Sequence, residues 1–163
     1  MDFAAELARA HNLVRETFRT LGSPQIYCEV KFSSRFSRRM GDARYDHVKQ
    51  KGIIRLSAVL WPRATEVERT ETIIHEACHV VQLYFYPTSA AHGREWAALM
   101  RKAGRKPQRC HQVDRTGIQR KNARVAASCL CGNVRAITTN KATRIRRGAS
   151  YRCLKCNEVV SLA

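Results

Sequence analysis

His75, Glu76, Ala77, Cys78 and His79 form an H-E-x-x-H run. On a helix, residues four apart share a face, so both imidazoles can reach one ion while Glu76 points toward a water bound there. The chemistry such a set supports is metal-assisted hydrolysis, with the carboxylate as proton carrier. At this composition the run arises by chance in roughly 1% of chains of this length. The alternative, two core histidines beside a salt-bridged glutamate, leaves a carboxylate inside an apolar helix, which is costly without compensation. A catalytic zinc takes three protein ligands and keeps one position open. His92, beside Gly93 and thirteen residues after His79, is the best third ligand, and Glu95 is the runner-up. The metzincin spacing is excluded, because Gln82 and Phe85 stand where that pattern requires a glycine and a histidine. His11, His47 and His111 have no matching spacing and read as surface or structural residues.

A second constellation is Cys129, Cys131, Cys153 and Cys156. Four thiolates can close a tetrahedral structural zinc site, and two close pairs separated by 21 residues suit short strands returning to one ion, a zinc ribbon. Cys110 or His111 could replace one ligand, while Cys28 and Cys78 read as small buried hydrophobes. Between the two pairs lie Arg135, Lys141, Arg144, Arg146, Arg147 and Arg152, with Tyr151 among them, and Lys155 falls within the second pair. A run of charge is in general a solvated face. Here residues 101–163 hold 16 basic side chains against Asp114 and Glu158, and the set reads as a phosphate-tracking surface on which Tyr151 can stack an unpaired base.

These side chains need elements to carry them. Phe3, Leu7, Ala10, Val14, Phe18 and Leu21 keep a helical interval that Gly22, Ser23 and Pro24 stop. Ile26 to Phe32, Ala43 to Asp46 and Ile53 to Leu56 read as three short strands of an antiparallel sheet. Thr65 followed by Glu68 is a capping box, opening an inner helix through His75 to Leu83. Trp96, Leu99, Met100 and Ala103 mark a further amphipathic helix, with Gly104 at its C-terminal cap. The 163 residues are 44% hydrophobic, enough for a folded core, and carry a net charge of +17. That charge is uneven: residues 1–100 contain 14 basic and 11 acidic side chains, or +3, and the remainder +14. The division implies a catalytic unit over 1–104, a basic linker over 105–128 and a zinc ribbon over 129–163.

HEACH, the helix and loop after it, and HGREW at His92 to Trp96 resemble the SprT and Spartan metalloproteases. Further matches are IRL-x-x-VL at Ile54 to Leu60, HQVD at His111 to Asp114, C-x-C, and YRCLKC at Tyr151 to Cys156. The resemblance spans about residues 25–160. It implies an α+β, zincin-like protease domain followed by a ribbon, with His75, His79 and His92 as zinc ligands and Glu76 as general base. It also implies a DNA-activated endopeptidase that cuts proteins crosslinked to DNA. The sheet would offer an edge to an extended peptide, giving broad specificity. Tyr45 or an arginine near the cleft is the candidate for stabilising the oxyanion.

The expected cofactors are two zinc ions, one catalytic and one structural. The expected partners are single-stranded or junction-containing DNA and the proteins held on it, with no membrane. No apolar run approaches the roughly 20 residues of a bilayer span, and Met1 to Leu21 lacks the order of a secretory signal. A cytoplasmic, nucleoid-associated monomer follows, nuclear if the source is eukaryotic. Two other classes compete: a nucleic-acid-binding ribbon protein with a vestigial protease site, and a zinc hydrolase acting on non-protein substrates.

Overall fold

The computed structural model describes residues 1–108, 113–114, 116–118, 124–133 and 135–162. They form two units, Met1–Ile118 and Gln119–Ala163. The first runs α1 (Phe3–Thr20), β1 (Cys28–Ser33), β2 (Gly41–Asp46), β3 (Lys51–Ser57), α2 (Glu66–Phe85) and α3 (Arg94–Lys102). Asp2 caps α1 by accepting from the amides of Ala4 and Ala5. The expected capping box opens α2: the Glu68 amide donates to Thr65 Oγ1 at 3.2 Å, and the Thr65 amide donates to Glu68 Oε2 at 2.7 Å. With its first orphan amides satisfied, α2 buries Ile73, Ile74, Ala77, Cys78, Val80 and Val81 at the centre of the unit.

The three expected strands are present, but the sheet is mixed rather than antiparallel. β2 and β3 form an antiparallel hairpin, whereas β1 lies parallel to β3 on its other side, in the order β1-β3-β2. Alternating apolar residues specify a strand and its buried face equally for either direction, so the pattern did not fix the polarity of β1. β3 takes the centre, burying Gly52, Ile54 and Leu56. Gly52 is required there by close approach, because a Cβ would stand 2.6 Å from Val80 Cγ1 on α2. β2 is left as a sheet edge.

The segment expected to be a linker over 105–128 is divided between the units. Val113 is buried in the first core, and Arg63 donates to the Thr116 carbonyl at 2.6 Å. Arg124–Ser128 is a strand, β4, of the second unit. Ile118 also packs on that core, and dense charge hid both these apolar anchors and the short strand. In the second unit β4 pairs antiparallel with β5 (Arg135–Thr138) and with β6 (Ser161–Leu162). A helix that periodicity did not suggest, α4 (Thr139–Arg146), follows β5 directly, with Thr138 accepting from the Lys141 amide. Among the described residues, no helix is long and apolar enough to cross a membrane.

Candidate metal-binding catalytic site

α2 carries His75 and His79 one turn apart, and the loop after it returns His92 at the entry to α3. The three Nε2 atoms converge: His75 to His79 is 3.2 Å, His79 to His92 is 3.1 Å and His92 to His75 is 3.2 Å. A tetrahedral ion about 2.0–2.1 Å from three nitrogens sets them roughly 3.3–3.4 Å apart, so this triangle fits a metal closely. The donor chemistry is that of zinc or another imidazole-binding ion. Trp96 is the wall behind the triangle. It stacks on His79 at 5.4 Å and 18°, and meets His75 and His92 edge-on at 4.8 and 4.7 Å. Glu95, the alternative third ligand, pairs with Arg94 instead.

Burial sets the protonation of this group. It lowers the pKa of His79 to about 4, the Gln82 contact opposing and the nearby His92 adding to the shift. The ring is therefore neutral at physiological pH, as ligation requires. Glu76 is 7% exposed, and burial pushes its pKa up to about 8. Asp42 adds to that shift and Arg39 opposes it. Gly41 lies against Glu76: a Cβ at that position would stand 3.0 Å from Glu76 Cγ and 3.2 Å from Oε1. Strand β2 thus lies close against Glu76, and a side chain at this position would crowd the carboxylate.

The histidines and Glu76 face a cleft of about 510 Å³, with Met40, Gly41, Asp42 and Ala43 along one wall and Arg38 and Arg39 at the rim. Asp42 accepts from Arg55 Nε at 2.7 Å, forms a second bond with Arg55 Nη2, and pairs with Arg39 at 3.1 Å. The two guanidiniums flank the Phe36 ring at 4.3 and 5.1 Å. This anchors the start of β2 and leaves Arg39 at the mouth. Tyr45 is turned into the hairpin, where its hydroxyl donates to Gln50 Oε1 at 3.2 Å and its ring meets Tyr84. Of the two oxyanion candidates, the arginines reach the cleft.

In the second unit, Cys129 and Cys131 follow β4, and Cys153 and Cys156 flank the exposed turn at Leu154 and Lys155. All four ligand atoms lie within 4.8 Å of one another. The Cys131–Cys153 and Cys156–Cys129 separations, 4.0 and 3.7 Å, bracket the roughly 3.8 Å between sulfurs around one zinc, whereas Cys129 and Cys131 stand closer together, at 2.9 Å. The Lys155 amide donates to Cys153 Sγ at 3.4 Å, and backbone donors of this kind lower that thiol's pKa to about 6. Cys110 and His111, weighed as substitute ligands, lie outside the described residues. Arg135, Lys141, Arg144, Arg146, Arg147, Arg152 and Lys155 are all exposed, and three of them sit on α4. Tyr151 is half-buried with Lys141 Nζ 5.0 Å above its ring.

Two residues at the histidine site escaped sequence reasoning. One is Trp96, read as helix core and as the end of the HGREW run, with no role against the histidines. The other is Gln82, which holds His79 Nδ1 at 3.0 Å. Its signal was present: Gln82 lies seven residues after His75 and three after His79, on the same helix face, as a lone amide amid Val80, Val81 and Leu83.

A mixed sheet, a buried helix and a returning loop that together direct three imidazole nitrogens at one point define a small α+β protein with a histidine cluster that could hold a metal ion. Residues 7–117 match the SprT-like family, and the chain belongs to that family. Among its relatives are proteins named Protein SprT. That of Shewanella oneidensis MR-1 is 27% identical over 133 residues, covering 80% of this chain and 83% of that protein. Those of Escherichia coli O157:H7 and Enterobacter sp. strain 638 are 32% and 30% identical over 107 residues, each covering 64% of this chain and 63% of the relative. No solved structure matches the chain.

Proposed function

We propose that the chain is a zinc-dependent, DNA-activated endopeptidase that cuts proteins crosslinked to or tightly held on DNA. The observation that carries this reading is the meeting of three Nε2 atoms, 3.1–3.2 Å apart, with Glu76 in the same cleft. His75, His79 and His92 would hold the catalytic zinc of a zincin-like domain. A zinc ion there supplies Lewis acidity toward water and a peptide carbonyl at neutral pH. Glu76 accepts the proton of the attacking water and passes it to the departing amine. The edge of β2, which lines the cleft through Gly41 to Ala43, supports an extended substrate by strand addition, reading backbone more than side chain. Arg38 or Arg39 supplies positive charge at the cleft mouth.

The second unit supports the DNA part of the reading. Its four cysteines would hold a structural zinc, and its exposed basic side chains on α4 and around Tyr151 would track phosphates. Nucleoid association, with no membrane, follows from that partner. An endopeptidase of low sequence preference needs a control, and dependence on DNA supplies one. The test is cleavage of a basic DNA-binding protein by the zinc-loaded chain with and without single-stranded DNA. Stimulation by DNA is expected, and equal rates would remove the switch. Metal analysis separates the competing class: two zincs per chain are expected, whereas a single zinc lost in Cys129→Ser would favour a binding module without catalysis.

A further inference from the structure

Gln82 is 1% exposed on the last turns of α2, and all of its polar atoms are engaged. Its Oε1 lies 3.0 Å from His79 Nδ1, and its Nε2 lies 2.7 Å from the Ala90 carbonyl oxygen and 2.9 Å from Ser89 Oγ. The Ala90 carbonyl can only accept, so the amide NH2 must face it. Ser89 Oγ spends its own proton on the Tyr86 carbonyl at 2.8 Å and is left to accept from the same NH2. Both contacts turn Oε1 toward His79, where an amide oxygen can only accept, so His79 Nδ1 must carry the proton. The lone pair of that neutral ring is then on Nε2, the atom aimed at His75 and His92.

The geometry points to Gln82 as a positioning residue that fixes the tautomer of one metal ligand and tethers the loop delivering another. Ser89 and Ala90 belong to the segment between α2 and α3, and Ala90 also accepts from the Gly93 amide at 2.8 Å, one residue past His92. A single buried amide therefore spans from His79 to the backbone that places His92. Outer hydrogen-bonding partners of metal-bound histidines act through ring orientation and basicity, and their loss typically costs ten- to a hundredfold in affinity.

This inference rests on the reading of His75, His79 and His92 as metal ligands, and the test separates the two. Zinc affinity of the histidine site is measured in the full chain by chelator competition, for wild type, Gln82→Leu and Gln82→Glu. Imidazole 15N shifts of His79 are recorded on the metal-free proteins. Gln82→Leu is expected to weaken zinc at this site ten- to a hundredfold, leave the cysteine site unchanged, and release His79 into a mixture of tautomers. Gln82→Glu, assayed at a pH where the new carboxyl is ionised, keeps an acceptor for His79 Nδ1 but cannot donate to Ala90. It should therefore retain the Nδ1–H tautomer while losing protection from hydrogen exchange at the Gly93 amide. Unchanged affinity and tautomer in Gln82→Leu, with wild type binding zinc, would overturn the role of Gln82 alone. A wild type that binds no metal through these histidines overturns the ligand reading as well.

Discussion

Replacing Gly41 with alanine tests whether Glu76 must occupy the position in which β2 holds it. The new Cβ would stand 3.0 Å from Glu76 Cγ, 3.2 Å from its Oε1 and 3.2 Å from the Arg55 carbonyl oxygen. Carbon atoms in ordinary contact sit about 3.5–4.0 Å apart, so a neighbour must give way by a few tenths of an ångström. The Arg55 carbonyl belongs to β3, the central strand, beside the Gly41–Leu56 pair, and is fixed by the sheet. Glu76 is the group that can yield, toward the cleft. Displacement of a reacting group by about 1 Å can cost around a hundredfold in rate. For a shift of a few tenths of an ångström, Gly41→Ala is therefore expected to lower kcat by up to about tenfold, with KM and zinc content close to wild type and stability lower by about 1–3 kcal/mol from overpacking. The assay is steady-state cleavage of a DNA-bound basic protein with single-stranded DNA present, alongside metal analysis. A wild-type kcat in a folded, zinc-loaded Gly41→Ala protein would refute the claim that β2 sets the carboxylate. A fall confined to KM would move the effect to substrate pairing at the strand edge.

Other perturbations address separate parts of the molecule. Thr65→Ala removes the reciprocal cap of α2 and is expected to cost about 1 kcal/mol, read by denaturant unfolding, with an unchanged midpoint counting against the cap. Burial pushes the Cys28 thiol up to about 12, so at pH 9 only about a thousandth of it is thiolate; alkylation of the native chain at Cys28 should be slow until unfolding. Because its folded pKa lies above its unfolded value, the stability that the neutral Cys28 thiol contributes is present below about pH 9 and lost toward pH 12, measurable as a falling Tm over that window. Exchanging Lys141 and Arg144 for glutamate on α4 should weaken DNA binding and flatten its salt dependence while sparing zinc at the histidine site.

What sequence revealed was what repeats on a helix. The 3.6-residue period put His75 and His79 on one face, the capping box located the start of α2, and the amphipathic pattern after His92 located α3. The direction of β1 was not legible, since its alternation buries Val30 whether its neighbour runs with it or against it. α4 was hidden because its exposed face is almost wholly basic and polar and only Ala142 is buried. At the site itself, the convergence of His75, His79 and His92 was readable from spacing, but its supports were not. Trp96 reads as core until its ring is seen against three imidazoles, and Gln82 reads as a departure from another family's glycine until its amide is seen bridging His79 and Ala90. Close approach of backbone to side chain, as at Gly41 and Gly52, leaves no mark in hydrophobic pattern at all.

The most direct test of the central claim is cleavage of a DNA-bound protein, in the presence of single-stranded DNA, by the zinc-loaded wild type and by Glu76→Gln. The amide keeps the size of the side chain and removes its ability to take a proton. Wild type is expected to cut and Glu76→Gln to bind the same two zinc ions yet leave the substrate intact. Cleavage by Glu76→Gln at the wild-type rate, or an intact substrate with zinc-loaded wild type, would contradict the account.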